Sequence, residues 1–458
     1  MNIKKTALLS AALIMSMFAA AVHAGAEDAV SVDDKFTAIQ TGETLTLESV
    51  STLEDTVTID GKKVTLDLNG QTLTVKNGGF LVDNGAELTI TDTSDAGNGT
   101  IDFAGKPIAI KEYELGAGGW VYADHGSSVI MEKGKILTSG EVYWTDISYA
   151  THGSPTAILG NDFSTVTVNG GEIEISCITH NCYAAALFVA NSSTLNFNGG
   201  KIYASIPELF PTGIGAITST ANINGGSIDG VSIAASVLEG GTMSITGGEL
   251  NSFYCGVNAQ DNVTLNITGG TVTADEVAIN FNYAQVTIDE AVINGSIYLY
   301  TSGDYDSILK ILSGTINGEI IAEDDSWASQ PGKNDITISG GTFSVEPDAA
   351  YIADGLTAEY VDGSYIIKEA ENSVTVTTEY SCGADGANGT QATGFITTIS
   401  GKVTINSVKW AVTYNEETRY TAFTPETAIV LDGEGDAKIG LVVNGFNDSS
   451  ATAEAEIK

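Results

Sequence analysis

The chain has 458 residues, with 58 acidic against 19 basic side chains and a formal net charge of −39 at pH 7. Such an acidic surface repels nucleic acids and anionic polysaccharides, which excludes nucleic acid as a partner and disfavours an acidic polysaccharide. Hydrophobic residues make up 43% of the sequence, so an unfolded polar chain is excluded as well.

The N-terminal segment has the pattern of a secretory signal peptide. A short basic start precedes an apolar run at residues 6–22, and small residues stand at Val22 and Ala24 before the expected cleavage site. The run is too short for a comfortable membrane span, which needs about 20 apolar residues, and no later stretch is long and apolar enough. We therefore predict that residues 1–24 are removed, that the mature chain has no membrane span, and that it is secreted or displayed at the cell surface, or held in a periplasm.

One sequence phrase recurs through the middle of the chain. It consists of alternating apolar and polar residues, then a turn residue, and most often two glycines. The turn residues from Asn169 to Ser339 are separated by seven steps over 170 residues, a mean of about 24 residues per step. A fixed period of roughly 20 to 50 residues indicates a solenoid. The copies are centred on Asn69, Asn169, Asn198, Asn224, Thr246, Thr268, Asp289, Ser313 and Ser339, with weaker copies at Thr91 and Glu132.

Each copy predicts a half-buried strand, a glycine corner and the start of a second strand. Leu265 and Ile267 alternate with Thr264 and Asn266, as is typical of a strand with one face in the core, so we expect Ile267 inside and Thr264 outside. About 24 residues leave room for three short strands and three corners, and no copy has a helical pattern. We therefore predict an all-β fold, a right-handed parallel β-helix of about eleven coils, with like positions stacked ~4.8 Å apart.

The first and last repeats resemble those of a known family. The segments "KVTLDLNGQTLTV" and "ISGGTFSVEPDAAYIADGLTAEYVDGSYIIK" resemble the opening and closing parts of exported bacterial proteins with a pectin-lyase-like fold, over roughly residues 30–368. The resemblance supports the β-helix predicted from the repeat, which we place at residues 25–370. It implies no particular activity, because this fold is used by lyases, hydrolases, adhesins and proteins with no assigned task.

The repeat period ends near residue 370. Short alternating segments separated by Gly, Asn and Asp turns follow, and such segments are typical of short antiparallel strands. They predict a small C-terminal β-sandwich of the immunoglobulin-like class over residues 371–458.

Two repeats are longer than the others and predict insertions near residues 95–128 and 138–163. Aromatic rings on loops of a rigid scaffold are typical platforms for sugar rings, and nearby carboxylates and amides can bind sugar hydroxyls. We therefore predict a binding site in these loops, outside the coil core; packing of the aromatic rings onto the stack is the alternative. The predicted site residues are Tyr113, Trp120, Tyr122, Asp124, Tyr143, Trp144, Asp146, Tyr149 and Asn161.

Catalytic motifs of the resembled enzymes are missing. Arg419 is the only arginine, and Lys310 is the only lysine between Lys201 and Lys333. Most of the coil stack therefore lacks the basic residue with which a polysaccharide lyase would remove a proton. The combined N-x-D, paired Asp, G-H-G and R-x-K pattern of polygalacturonase-like hydrolases is missing too, because the Asp pairs at Asp33–Asp34 and Asp324–Asp325 lack the surrounding motif. We predict no catalytic residues.

Metal ligands and cysteines give weaker signals. His152 and His180 align in neighbouring repeats, but the spacing of His, Cys and Asp residues around them is irregular, so we predict no metal site and no cofactor. Cys177 and Cys182 are close enough to form a disulfide in an oxidising compartment. Cys255 aligns with an inward position and is expected in the core.

The sequence therefore predicts a non-catalytic secreted or cell-surface protein that is adhesin-like or binds carbohydrate. Two alternatives stay open: a carbohydrate-active enzyme (polysaccharide lyase or glycoside hydrolase) with unusual acidic residues, and a structural spacer. Exposed aromatic residues in a row would favour binding, acids clustered in one groove would favour an enzyme, and a featureless surface would favour a spacer.

Overall fold

The computed structural model describes residues 32–109, 117–143, 154–180, 183–206, 210–301, 305–323 and 332–370, and beyond these the backbone of seven strands between residues 373 and 457. In these ranges nearly all regular structure is strand. The helical elements described are α1 (Val32–Ala38) and a 3-10 helix (Ala349–Tyr351). No helix in the described ranges is long and apolar enough to cross a membrane.

The strands up to residue 369 form one 32-stranded sheet apart from a single small pair. Three strand positions recur in each repeat, and each pairs in parallel with the same position in the next repeat, which gives three rows of stacked strands. The prediction of an all-β, repeat-like architecture of parallel strands is confirmed, and it fits a solenoid. Strands are numbered along the chain.

The first row contains the strands of the recurring phrase. Its separate members are β1 (Glu43–Thr46), β4 (Lys63–Asp67), β7 (Glu87–Thr91), β11 (Ser128–Met131), β15 (Thr165–Val168), β19 (Thr194–Phe197), β22 (Thr220–Ile223), β24 (Thr242–Ile245), β28 (Ser307–Ile311) and β31 (Asn334–Ile338). The second row follows each glycine corner. Its separate members are β2 (Ser51–Leu53), β5 (Thr72–Val75), β8 (Thr100–Phe103), β12 (Lys135–Thr138), β16 (Glu172–Ile175), β20 (Lys201–Ala204), β29 (Thr315–Asn317) and β32 (Thr342–Phe343).

The third row completes each repeat, after the second row and before the next first-row strand. Its separate members are β3 (Val57–Asp60), β6 (Phe80–Asp83), β10 (Ala117–Ala123), β14 (Ser154–Gly160), β18 (Ala185–Val189), β21 (Thr212–Ile217) and β30 (Ile320–Glu323). Four long strands pass through corners and belong to two or three rows: β23 (Ser227–Leu238), β25 (Glu249–Ile267), β26 (Thr271–Ile288) and β27 (Val292–Tyr300).

A few strands lie outside the three rows. They are β9 (Ile108–Ala109), antiparallel to β10; the pair β13 (Glu141–Tyr143) and β17 (Ile178–His180); and the hairpin β33 (Leu356–Val361) and β34 (Ser364–Glu369), which pairs with β32. The C-terminal strands form two antiparallel sheets. One contains β35 (Ser373–Cys382), β36 (Thr390–Ser400) and β39 (Ile429–Leu431), and the other β37 (Ile405–Tyr414), β38 (Glu417–Ala422), β40 (Ala437–Gly445) and β41 (Ser450–Ile457).

The core is built from the inward residues of the rows. Ile245, Ile267 and Ile288 are in register in successive repeats, and each is fully buried. Thr264, in the same strand as Ile267, lies on the outer side between Thr242 and Gln285 and is partly exposed. The predicted orientation of Ile267 and Thr264 is therefore confirmed.

The second glycine of each corner is required for two reasons. Gly248 has a φ of +92°, which favours glycine, and a Cβ atom at this position would lie 2.9 Å from the carbonyl oxygen of Gly225 in the preceding repeat. Gly200 has the same φ, and its Cβ would lie 2.7 Å from the oxygen of Gly171. The recurring glycine pair therefore follows from left-handed backbone and from close stacking of successive corners.

The variant Gly248→Ala tests this explanation, with Gly240→Ala as its control. Gly240 also has a positive φ (+75°), but a Cβ atom there would meet nothing within 4 Å. We expect Gly240→Ala to lower the free energy of unfolding by about 1 kcal/mol through its backbone alone. Gly248→Ala should lower it by about 2 kcal/mol or more in urea denaturation. Equal losses would contradict a role for the contact between corners.

Candidate functional site

The structure describes some of the predicted site residues and not others. Trp120, Tyr122, Asp124, Tyr143 and Asn161 lie within the described ranges. Tyr113, Trp144, Asp146 and Tyr149 lie outside them, as do His152 and Cys182, so the proposed Cys177–Cys182 disulfide stays a prediction.

Trp120 is a core residue, and its predicted position in a loop is wrong. It is only 1% exposed in β10, its ring lies 6.2 Å from that of Phe103, and its Nε1 donates to the carbonyl of Gly105 at 3.0 Å. The strand pairs with β6 and β14 and thus continues the third row through one of the longer repeats. Because the indole is enclosed, it has no ring face for a sugar.

Three predicted site residues do come together where the third-row strands end. Asp124 follows β10 and Asn161 follows β14 in register. The Tyr122 hydroxyl donates to Asp124 Oδ2 at 2.7 Å, and the Asn161 amide donates to Asp124 Oδ1 at 3.0 Å. Tyr122 and Asn161 are buried, so they hold the Asp124 carboxylate in one orientation.

His125 lies beside this group, at the same corner. Its Nδ1 is 2.7 Å from Asp83 Oδ1 and 3.7 Å from Asp124 Oδ2, and its Nε2 is 3.9 Å from Asp162 Oδ2. The hydrogen bond with Asp83 and the charge of Asp124 raise the pKa of His125 above its ordinary value. We call Asp83, Asp124, His125, Asn161 and Asp162 the polar corner.

A second group of candidate residues lies where the second row turns into the third. Large apolar side chains at this position are exposed in several repeats, among them Tyr143 (46%), Tyr183 (55%), Phe210 (53%) and Tyr254 (50%). Contiguous exposed apolar side chains are uncommon on monomeric proteins, so this group is a candidate binding surface. We call Tyr143, Ile178, His180, Tyr183, Phe210, Phe253 and Tyr254 the aromatic edge.

One end of the aromatic edge is a stacked pair. The rings of Tyr143 and His180 lie 4.3 Å apart and 11° from parallel, on the paired strands β13 and β17. His180 Nε2 is 2.8 Å from Glu141 Oε1, and the Tyr143 hydroxyl donates to the same oxygen at 3.0 Å. The hydrogen bonds from His180 and Tyr143 lower the pKa of Glu141.

The other end joins rings from repeats that are not neighbours. Phe210 and Phe253 have ring centroids 6.3 Å apart, although one repeat lies between theirs along the stack. Tyr254 follows Phe253 directly and is half exposed. Tyr183, Phe210, Phe253 and Tyr254 lie outside the two longer repeats and were not among the predicted site residues. The signal was available as aromatic residues shortly after the second strand in "NCYAAA", "ELFPTG" and "NSFYCG".

A buried cysteine and a cavity are two further features, and neither belongs to the polar corner or the aromatic edge. Cys255 is buried as predicted, and burial raises the pKa of its thiol to about 12, which excludes a reactive thiolate near neutral pH. A cavity of about 530 Å³ lies at the last repeat, lined in part by Ile320, Phe343 and Ile352. It is lined by none of the polar-corner or aromatic-edge residues.

Comparison of the chain with protein-family models, with curated proteins and with solved structures found no match.

Proposed function

We propose that this protein is a non-catalytic, carbohydrate-binding protein whose aromatic edge stacks against sugar rings. The observation that carries the proposal is the row of half-exposed rings that begins at Tyr143 and ends at Tyr254. Such a row is the feature that distinguishes a binding surface from a spacer.

The chemistry of the edge suits a neutral glycan. Ring faces of Tyr and Phe pack against the apolar faces of pyranose rings, while Glu141 and the Tyr hydroxyls can exchange hydrogen bonds with sugar hydroxyls. The formal net charge of −39 disfavours an anionic polysaccharide. The rings come from several repeats and follow the strand-stacking direction, so an extended oligosaccharide is a better fit than a single sugar.

We also propose a closed β-helix, a C-terminal sandwich and export of the protein. We infer that the three rows close into a right-handed parallel β-helix of the pectin-lyase-like kind, and that the two C-terminal sheets form a sandwich. The basic, then apolar, N-terminal segment supports export to the cell surface or the medium, where glycans are available.

A glycan array with the purified protein, followed by titration of the best neutral oligosaccharide, tests the binding. We expect Phe210→Ala and Tyr254→Ala each to weaken binding more than tenfold, because a stacked aromatic ring often contributes about 2 kcal/mol. Raising the salt concentration should change the affinity little, since stacking rather than charge holds the ligand.

Tyr360→Ala is the matched control, because Tyr360 is 63% exposed but lies in β33, outside the aromatic edge. It should bind like the parent protein, and all three variants should keep the parent melting temperature. Unchanged binding in Phe210→Ala and Tyr254→Ala would reject the aromatic edge as the site. Release of reducing sugar from the bound oligosaccharide would instead reject the non-catalytic assignment.

A further inference from the structure

We infer that the polar corner is a binding site for one divalent transition-metal ion of the Zn²⁺ class, held by His125, Asp124 and Asp162. One ligand atom from each of these residues lies within 4.8 Å of the other two. A metal ion between them would need only small side-chain rotations to reach bonds of about 2.0–2.2 Å. The site is separate from the aromatic edge and does not depend on the proposed glycan.

The hydrogen bond of His125 directs one ring nitrogen towards this position. In the neutral imidazole, donation from Nδ1 to Asp83 leaves the lone pair on Nε2, the nitrogen that lies 3.9 Å from Asp162 Oδ2. A metal-bound histidine usually donates its other ring N–H to a carboxylate or carbonyl in this way. Asp83 is thus the positioning residue for His125.

The Asp124 carboxylate is also held in position by groups that would not bind the metal. Tyr122 and Asn161, which are 6% and 2% exposed, donate to its two oxygens, and Asn191 donates in turn to Asn161 Oδ1 at 2.8 Å. These contacts reduce the side-chain freedom that Asp124 would lose on binding. His125 itself has a side chain that is 55% exposed, which leaves room for entry of the ion and for water ligands.

The charges at the polar corner also favour binding of a divalent cation. Asp83, Asp124 and Asp162 converge on one imidazole, and among the described residues their ion pairs involve His125 alone. A protonated imidazole supplies a single positive charge against three carboxylates. A divalent cation removes more of the repulsion between them, so its binding should stabilise the folded protein.

The donor set selects the class of ion. One imidazole nitrogen with two carboxylate oxygens suits Zn²⁺ and similar transition metals, whereas Ca²⁺ and Mg²⁺ prefer oxygen donors only. Motif spacing could not predict this site, because His125 and Asp162 belong to different repeats. They meet because β10 and β14 pair in register and each residue is the second one after its strand, where both have a positive φ (+47° and +48°).

Calorimetric titration of the chelator-treated, full-length protein with ZnCl₂ tests the inference. We expect one Zn²⁺ per chain at the corner, a higher melting temperature with Zn²⁺, and no displacement by an equal concentration of CaCl₂. His125→Ala and Asp162→Asn should each weaken this binding at least tenfold. Asp261→Asn is the matched control, since Asp261 is an exposed acid with a positive φ (+68°) at the same corner four repeats along.

Three results would overturn the inference. They are no Zn²⁺ binding by the parent protein, binding in His125→Ala and Asp162→Asn equal to that of the parent, and a loss in Asp261→Asn as large as in Asp162→Asn. Circular dichroism and melting of the metal-free variants show whether each is folded. Because Asp162 is on the surface, Asp162→Asn should keep the parent fold and decides the question if His125→Ala does not.

Discussion

Ile267→Asp is expected to lower the free energy of unfolding by several kcal/mol, about 4, and to unfold much of the protein at moderate urea concentration. Ile267 is fully buried in the first row, between Ile245 and Ile288 of the neighbouring repeats. The new carboxylate would face apolar side chains above and below it, with no cation or donor to compensate. It must then be protonated, or the repeats around it must separate.

Thr264→Asp is the control, three residues earlier in the same strand. Thr264 lies on the outer side and is partly exposed, so its carboxylate would stay in water, and the expected change is within about 0.5 kcal/mol. Urea denaturation followed by circular dichroism measures both variants. Equal losses of stability would mean that the inward and outward positions of this row have been exchanged.

The register of the first row could be predicted because its two faces have different surroundings. Leu265 and Ile267 contact the core, while Thr264 and Asn266 lie on the outer side, so the alternation is visible in one short segment. The glycine pair that follows marks the same corner in each repeat. Local sequence therefore carries both the strand and its orientation.

The third row near Trp120 could not be predicted in this way, because its outer face is covered too. Tyr122 and Leu159 are buried on that face against Leu81, Ile108 and Phe188, so the segment 118–123 lacks alternating exposure. Without the alternation, the segment is indistinguishable from a loop with aromatic residues. The predicted insertion ranges accordingly contain the strands β8, β10 and β14.

The two candidate sites depend on contacts between repeats. Tyr122, Asp124 and Asn161 were predicted site residues, but their contact with His125 and Asp162 depends on how β10 and β14 align. The contact of Phe210 with Phe253 likewise depends on how the corners of three successive repeats align. Repeat length varies along the chain, so this register cannot be counted from sequence alone.

Asp92 is expected to be the most important acidic residue for folding of the first repeats. Its side chain is 1% exposed, yet it is charged, because three backbone N–H groups donate to it: Gly99 at 2.6 Å, Gly70 at 2.8 Å and Ser94 at 3.1 Å. Asp92→Asn keeps the shape but turns an N–H₂ group towards one of these donors. We expect Asp92→Asn to lower the free energy of unfolding by about 2–3 kcal/mol at pH 7. Asp95→Asn, at an exposed neighbour, should change it by no more than about 0.5 kcal/mol.

The pH dependence of this loss separates charge from packing. Burial raises the pKa of Asp92, but the hydrogen bonds from the Gly99 backbone, from the Ser94 side chain and backbone, and from the Gly70 backbone together outweigh it and lower the pKa below the ordinary 3.8. The stabilisation is therefore complete above about pH 4 and is lost as the pH falls through the folded-state pKa, where both states bind the proton. The difference in unfolding free energy between the parent protein and Asp92→Asn should shrink over this range, while the difference for Asp95→Asn stays near zero. A difference at Asp92 that is the same at pH 7 and at pH 3 would mean that the carboxylate acts through its shape rather than its charge.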